Sequence, residues 1–193
     1  MTDFEFIFAL YSLLLGLSLV ELLGGLGRAL EYEFSRDAAG EEAGFSIGWL
    51  TPLLAVFVLL DLMSFWAFAW VARDHIEVST HALLAVVLFA SAYYLAARMV
   101  FPSDPARFAQ LDTHYFRVSR LIFGILLALV VAQWIYLLSI PTIRANLITP
   151  VSVSMTALFV GLMCAAMILR RRSAQAVLLV ALIARYLILY VIA

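Results

Sequence analysis

Residues 48–72 read GWLTPLLAVFVLLDLMSFWAFAWVA and carry a single charge, that of Asp61. About 20 mostly apolar residues in an α-helix are enough to cross a bilayer. The apolar side chains run all the way round such a helix and show no period-two alternation, which argues against a strand of a β-barrel. This stretch therefore predicts a transmembrane helix.

Five further stretches of the chain have the same character. The predicted helices cover residues 4–28, 48–72, 80–100, 116–140, 147–169 and 174–193. The connections are mostly short and no linker divides the chain, so the sequence predicts one all-α domain over residues 1–193, a six-helix transmembrane bundle. Pro102 and Pro105 should end the third helix. The apolar spacing that follows indicates a short interfacial helix around residues 106–115.

The composition of the whole chain supports a membrane protein. Of its 193 residues, 66% are hydrophobic and 13% are charged, whereas soluble domains are about 45–50% apolar and about 25% charged. A net charge of −1 indicates no nucleic-acid partner. The chain has no lysine to form a Schiff base, and its one cysteine, Cys164, excludes an intrachain disulfide. We predict no cofactor.

The arginines are distributed unevenly between the predicted loops. Loops one, three and five, with their flanks, hold nine arginines, while the opposite side holds only Arg73 and Arg144. Cytoplasmic loops carry the excess of positive charge in membrane proteins. The sequence therefore predicts a bacterial inner-membrane protein whose loops one, three and five are cytoplasmic and whose N- and C-termini are periplasmic.

Three ionisable residues, Glu21, Asp61 and Arg185, lie well inside the predicted helices. Each costs at least ~2.5–3.5 kcal/mol to insert, so such residues are the first candidates for function. At a rise of ~1.5 Å per residue, Asp61 and Arg185 lie about 20 and 18 Å from the cytoplasmic edge, and Glu21 about 10 Å. We therefore predict that Asp61 and Arg185 pair, because pairing is the least costly way to bury both charges.

Four more polar residues join these three by depth and helical spacing. Ser91, Tyr94 and Arg98 share one face of the third helix, and Arg98 comes close to the depth of Glu21. Gln133 comes close to the depth of Asp61 and is a candidate third partner of the pair. We call the full set the polar seam: Glu21, Asp61, Ser91, Tyr94, Arg98, Gln133 and Arg185.

The polar seam allows two functions of different classes. The first is passage of a small ion, as a channel or a carrier, in which Glu21 without a tight cation partner would carry a proton. We also expect a homo-oligomer, because six helices in 193 residues leave little room for a private aqueous path. The alternative is a non-enzymatic scaffold, sensor or lipid-binding protein whose charges only hold helices together. A path must meet water from both sides, whereas structural contacts are dry and paired.

Two clusters outside the polar seam suggest ligands. Glu77 and His81 are four residues apart, so with His75 they are candidates for a metal site. Around the predicted interfacial helix, phosphate or anionic-lipid contact is expected on the cytoplasmic side from Arg107, Arg117 and Arg120. No HExxH, GxSxG, GxGD or Walker motif occurs, so we expect no enzyme.

Two stretches carry a family resemblance. Residues 15–28, LGLSLVELLGGLGR, resemble the opening helix of a group of uncharacterised bacterial multi-pass inner-membrane proteins. Tyr94 and Leu95, Phe101 and Pro102, and residues 112–117, DTHYFR, are similar to the central segment of that group. The resemblance covers about a third of the chain. It implies a multi-helix inner-membrane protein and no known activity.

Overall fold

The computed structural model describes residues 2–38 and 45–192, and within them the regular structure is helical. The helices are α1 (Asp3–Ala38), α2 (Leu50–Val71), α3 (Thr80–Val100), α4 (Leu111–Ser139), α5 (Pro141–Leu147), α6 (Pro150–Ile168) and α7 (Arg172–Ile192). All but the short α5 are long and apolar enough to cross a membrane. The predicted six-helix architecture is confirmed, and the chain is a multi-pass membrane protein.

Loops one, three and five meet at one end of the bundle, here called the odd-loop end. The Ser46 amide donates to the Ala109 carbonyl at 3.0 Å, which joins loops one and three. Arg172 Nη2 donates to Gln110 Oε1 at 2.9 Å, which adds loop five. These contacts agree with a chain that crosses the membrane six times in alternating directions.

The N-terminus and loops two and four meet at the opposite end, here called the even-loop end. Asp3 Oδ2 accepts a hydrogen bond from the Val78 amide at 3.1 Å. Thr142 Oγ1 and His75 Nε2 lie 2.9 Å apart, which joins loops two and four. The pairing of the loops follows the order predicted from the sequence, and the assignment of either end to the cytoplasm stays a prediction.

Helix α2 lies at the centre of the bundle and packs against α1, α3, α4 and α7. Its Phe57 is fully buried, with ring centroids of Phe123, Phe159 and Tyr186 all 5.8–6.2 Å away. Neighbouring aromatic rings at such distances pack favourably beyond their buried area. One α2 residue thereby joins α4, α6 and α7 into a single core.

The odd-loop end depends on a contact between loop one and α4. Asp112 Oδ1 accepts a hydrogen bond from the Leu50 amide at 3.1 Å and so satisfies one of the free N–H groups at the start of α2. Gly48 has a φ of +67°, and a Cβ there would lie 2.5 Å from the same carboxylate oxygen. Only glycine fits this turn, because any side chain would strain the backbone and collide with the capping group.

Gln175 connects three helices at the same end. Its Oε1 accepts from the Tyr115 hydroxyl at 2.6 Å, and its Nε2 donates to the carbonyls of Ala166 and Leu169 at 2.7 and 2.5 Å. The side chain is 1% exposed, so these bonds satisfy an amide that water does not reach. Gln175 thereby holds α4, the end of α6 and α7 together.

The predicted interfacial helix around residues 106–115 is wrong. The structure has a short 3-10 turn at Pro105–Arg107 and then begins α4 at Leu111. Leu111 and Tyr115 are fully buried, so their helical spacing marks the core-facing side of α4 rather than a helix on the membrane surface.

Helix α1 and loop four also differ from the sequence prediction. Helix α1 continues to Ala38, ten residues past the predicted end at Arg28, because that end was set by the expected membrane edge. Loop four contains the short helix α5, which hydropathy does not detect because it is too short to span.

Candidate functional site

Asp61 lies on the side of α2 that faces α3 and α7, and it is 0% exposed. Oδ1 accepts a 2.5 Å hydrogen bond from the Tyr186 hydroxyl, and Tyr186 also lies 3.5 Å from Ser64 Oγ. Oδ2 has no hydrogen-bond partner among the described residues. The neighbouring Tyr93 hydroxyl donates instead to the Val58 carbonyl at 2.5 Å. Asp61 is therefore partly satisfied and closed off from water.

The predicted ion pair between Asp61 and Arg185 is wrong. Arg185 Nε donates to the Met155 carbonyl of α6 at 3.3 Å, and its guanidinium carbon lies 4.3 Å from the centroid of the Phe159 ring. Consecutive helical residues point about 100° apart. Because α7 packs between α2 and α6, Tyr186 faces α2 while Arg185 faces α6.

Three members of the polar seam do come together between α1 and α3. Arg98 Nε lies 3.3 Å from Glu21 Oε2, and the Tyr94 hydroxyl donates to Glu21 Oε1 at 3.2 Å. Arg98 also donates to Ser103 Oγ at 2.9 Å. Glu21 therefore has a cation partner, which removes the reason for expecting it to carry a proton.

The remaining members of the polar seam lie apart from both groups. Ser91 is on the exposed face of α3. Gln133 lines a cavity, and its buried Nε2 has no hydrogen-bond partner among the described residues. Within the described part of the chain, no hydrogen bond or ion pair links the Glu21 group, Asp61 and Gln133. The seven residues thus form separate polar groups rather than one continuous row.

A cavity of about 560 Å³ lies at the even-loop end among α1, α2, α3 and α4, and we call it the even-end cavity. Twenty residues line it, of which seven are aromatic and six are alanine. Only three carry polar side-chain groups: Tyr11, Gln133 and Tyr136. The chemistry of these walls suits an apolar molecule with few polar atoms.

The even-end cavity opens toward the side of the bundle. Its exposed lining residues all belong to α3 and α4: Ala85, Leu88, Ala128, Ala132 and Tyr136. Its deep lining residues include Tyr11 and Phe65, which are 7% and 2% exposed. The mouth therefore lies on the lateral surface of the bundle, between two helices that are long and apolar enough to cross a membrane.

The even-end cavity was not predicted from the sequence. The available signal was small residues at helical spacing, Ala82 and Ala85 on α3 and Ala128 and Ala132 on α4, at the same end as the aromatic residues of α1. Small side chains on facing helices leave space when the backbones do not approach more closely. The packing distance itself, which decides whether a cavity results, is a tertiary property.

The candidate metal ligands do not assemble. His75 lies beside Thr142, while Glu77 and His81 are exposed. Across residues 2–38 and 45–192, no three His, Cys, Asp or Glu side chains are grouped so that they could hold a metal ion.

The three arginines expected to contact anionic lipid lie near the odd-loop end in separate settings. Arg107 Nε lies 3.1 Å from Asp104 Oδ2, Arg117 lies over the Phe108 ring at 5.7 Å, and Arg120 donates to the Met167 carbonyl at 2.8 Å. A pocket of about 540 Å³ lies beside Arg107, and Arg98 and His114 also line it. We call it the odd-end pocket.

Comparison with known proteins assigns no family to this chain, so its function has to be inferred from the geometry described above. No protein-family model, no curated protein and no solved structure matches this chain.

Proposed function

We propose that this chain is a non-enzymatic membrane protein that binds a lipophilic molecule in the even-end cavity. The observation that carries the proposal is the cavity itself, about 560 Å³ with almost wholly apolar walls and a mouth between two membrane-spanning helices. Pockets for small ligands commonly have volumes of about 300–1,000 Å³ and a few polar groups on hydrophobic walls. A ligand dissolved in the bilayer would reach the mouth without crossing water.

In this proposal the charged residues inside the helices have structural roles. The Glu21–Arg98 contact joins α1 to α3, and the Asp61–Tyr186 hydrogen bond joins α2 to α7. Asp61 is fully buried, so removing Tyr186 would leave its carboxyl unsatisfied, whereas the partly exposed Glu21–Arg98 pair contributes less. These contacts keep the walls of the even-end cavity in place.

The proposal is tested by native mass spectrometry of the protein purified in detergent, followed by solvent extraction of whatever stays bound. Ala132→Phe places a ring in the mouth of the cavity. Ala157→Phe makes the same change on the exposed face of α6 and is the matched control. We expect a retained lipophile in the wild type and the control and a loss of occupancy in Ala132→Phe. Equal occupancy in all three proteins, or none in the wild type, would contradict the proposal.

Passage of a small ion is the second candidate function, and Asp61 is the observation that favours it. An intramembrane carboxylate with an unpartnered oxygen is a recurrent feature of ion and proton pathways. The separation of the polar groups and the full burial of Asp61 favour lipophile binding instead. Ion flux into proteoliposomes separates the two. Flux that Asp61→Asn or Glu21→Gln abolishes, in a folded protein, would support passage, whereas lipophile binding predicts no flux above empty liposomes.

Anionic lipids at the odd-loop end are part of the same proposal. Arg98 and Arg107 line the odd-end pocket, and Arg117 lies against the neighbouring Phe108. Arginine side chains at a membrane surface attract acidic headgroups, so this end would face the leaflet richer in them. The bacterial inner membrane, with the odd-loop end cytoplasmic, is the location that fits.

A further inference from the structure

Arg185 makes no ion pair in the described part of the chain, although it lies well inside a membrane-spanning helix. We propose that it binds the oxyanion head of an amphiphile between α6 and α7. The ligand class is a carboxylate or a phosphate that carries an apolar tail. Other helices form the even-end cavity, so this inference is independent of the proposed function.

The guanidinium of Arg185 uses only part of its hydrogen-bonding capacity within the chain. Its Nε donates to the Met155 carbonyl at 3.3 Å, whereas Nη1 and Nη2 have no hydrogen-bond partner among the described residues. Neither terminal nitrogen is among the buried unpaired atoms of those residues, so both have surface that a ligand can reach. The charge of Asp61 acts on Arg185 only from beyond ion-pair distance. The terminal N–H groups are therefore free to bind an external acceptor.

Two aromatic rings hold the guanidinium in place. Its carbon lies 4.3 Å from the ring centroid of Phe159 and 5.1 Å from that of Tyr186. Both rings are buried, and they meet edge to face with centroids 5.7 Å apart. A cation over a ring is attracted by the quadrupole of the ring, and this contact uses no hydrogen-bond donor. The rings thus position the arginine while its terminal N–H groups keep the fork that matches carboxylate and phosphate oxygens.

The contact between Arg185 and Met155 lies near the even-loop end of α6. Helix α6 has 19 residues and is about 28 Å long, close to the ~30 Å thickness of a hydrocarbon core. Met155 follows Pro150, the first residue of α6, by five residues, so the contact lies about 7–8 Å from that end. Arginine side chains near helix ends extend toward the headgroups. The head of an amphiphile in the leaflet at this end can therefore meet the guanidinium.

The surroundings of Arg185 require an anion and accept a tail. A charged group whose donors met only acyl chains would be costly, and a neutral acceptor would leave the charge uncompensated. An oxyanion removes both costs through charge-assisted hydrogen bonds. Toward the middle of the bilayer, Leu158 shares a face of α6 with Met155, and Ala181 shares a face of α7 with Arg185. Both are at least partly exposed, so an apolar tail can lie along them.

The test compares three ligands with the same tail: dodecanoate, dodecyl phosphate and the uncharged 1-dodecanol. Native mass spectrometry of the full chain in a non-ionic detergent measures their dissociation constants and the oligomeric state. The proteins are the wild type, Arg185→Met and Arg73→Met. Arg73 is the matched control, because it also lies over a ring, that of Trp70 at 4.9 Å, but has a carboxylate partner in Asp74 at 3.6 Å. Arg185→Gln serves if Arg185→Met does not fold.

We expect the wild type to bind at least one of the two anions about ten- to a hundredfold more tightly than dodecanol, because a hydrogen bond to a charged group contributes about that ratio. The preference should fall to about equal binding in Arg185→Met and persist in Arg73→Met. Tighter binding of dodecanoate would identify a fatty acid as the source of the oxyanion, and tighter binding of dodecyl phosphate an acidic phospholipid.

Two results would overturn the inference. One is equal binding of all three ligands to the wild type, or a preference for the anions that Arg185→Met retains. The other is an oligomer that binds neither anion and that Arg185→Met dissociates, because a second copy of the chain would then cover Arg185.

Discussion

The Tyr186 hydroxyl of α7 donates a 2.5 Å hydrogen bond to Oδ1 of the buried Asp61 carboxylate. Asp61 is fully buried, and its other oxygen has no partner among the described residues. The neighbouring Arg185 lies against Phe159 instead. A tyrosine rather than an arginine therefore connects the central helix to the last one.

Tyr186→Phe should destabilise the protein by about 1–3 kcal/mol, because it leaves the buried carboxyl of Asp61 without its α7 donor. The loss of folded protein on titration with sodium dodecyl sulfate measures this change. Tyr190→Phe is the matched control, since the Tyr190 hydroxyl makes a longer bond, 3.3 Å, to the Leu60 carbonyl at an exposed site. An equal loss in both variants would show that the Tyr186–Asp61 bond has no special role.

Gly48→Ala should destabilise the protein by about 1–2 kcal/mol or more, because a left-handed backbone at φ +67° disfavours alanine. The new Cβ would also displace the Asp112 carboxylate from the start of α2. Gly16→Ala is the control, since nothing lies within 4 Å of a Cβ at that helical position. We expect the control to be neutral or stabilised, because alanine favours helix over glycine. A Gly48→Ala protein as stable as wild type would contradict the role of this turn.

Glu21 and Arg98 should be energetically coupled. In a double-mutant cycle with Glu21→Gln and Arg98→Gln, we expect a coupling of about 0.5–1 kcal/mol, limited by the partial exposure of both side chains. The same detergent titration measures it. A parallel cycle of Glu21→Gln with Arg185→Gln should give no coupling, since those two residues share no contact. Strictly additive effects in the first cycle would mean that the observed pair does not act as a unit.

The odd-loop end should prefer anionic lipid. The double variant Arg107→Gln, Arg117→Gln should lower the enrichment of phosphatidylglycerol over phosphatidylcholine around the protein by several-fold, since each surface arginine contributes about 1 kcal/mol of attraction. Lipids that copurify from mixed vesicles of the two, counted by mass spectrometry, give the enrichment. Arg73→Gln, at the even-loop end, should leave it unchanged. Enrichment that is equal in all of these proteins would contradict the predicted contact.

Some of the candidate site could be predicted from the chain alone. Glu21, Tyr94 and Arg98 meet in the structure because helical spacing and depth are properties of a sequence once its spans are known. Arg185 shows the limit of the same method. Depth predicted that it lies beside Asp61, and its guanidinium carbon lies 5.1 Å from the ring centroid of Tyr186, but its hydrogen bond goes to Met155 of α6.

The amino-acid sequence by itself determined that the chain lies in a membrane and how many helices can cross it. Stretches of about 20 apolar residues without period-two alternation favour helices across a bilayer, because backbone groups in lipid must be hydrogen-bonded and a helix bonds them within one segment. That constraint is local, so composition and length are sufficient to predict it.

Only the tertiary structure decided which side chains meet and where space remains. The cavity lined by Gln133, the cap that Asp112 provides for α2, and the Tyr186–Asp61 bond all depend on how neighbouring helices rotate and how closely they approach. One residue step turns a side chain by about 100°. Such rotations are set by packing across the whole bundle and cannot be predicted from hydropathy along the chain.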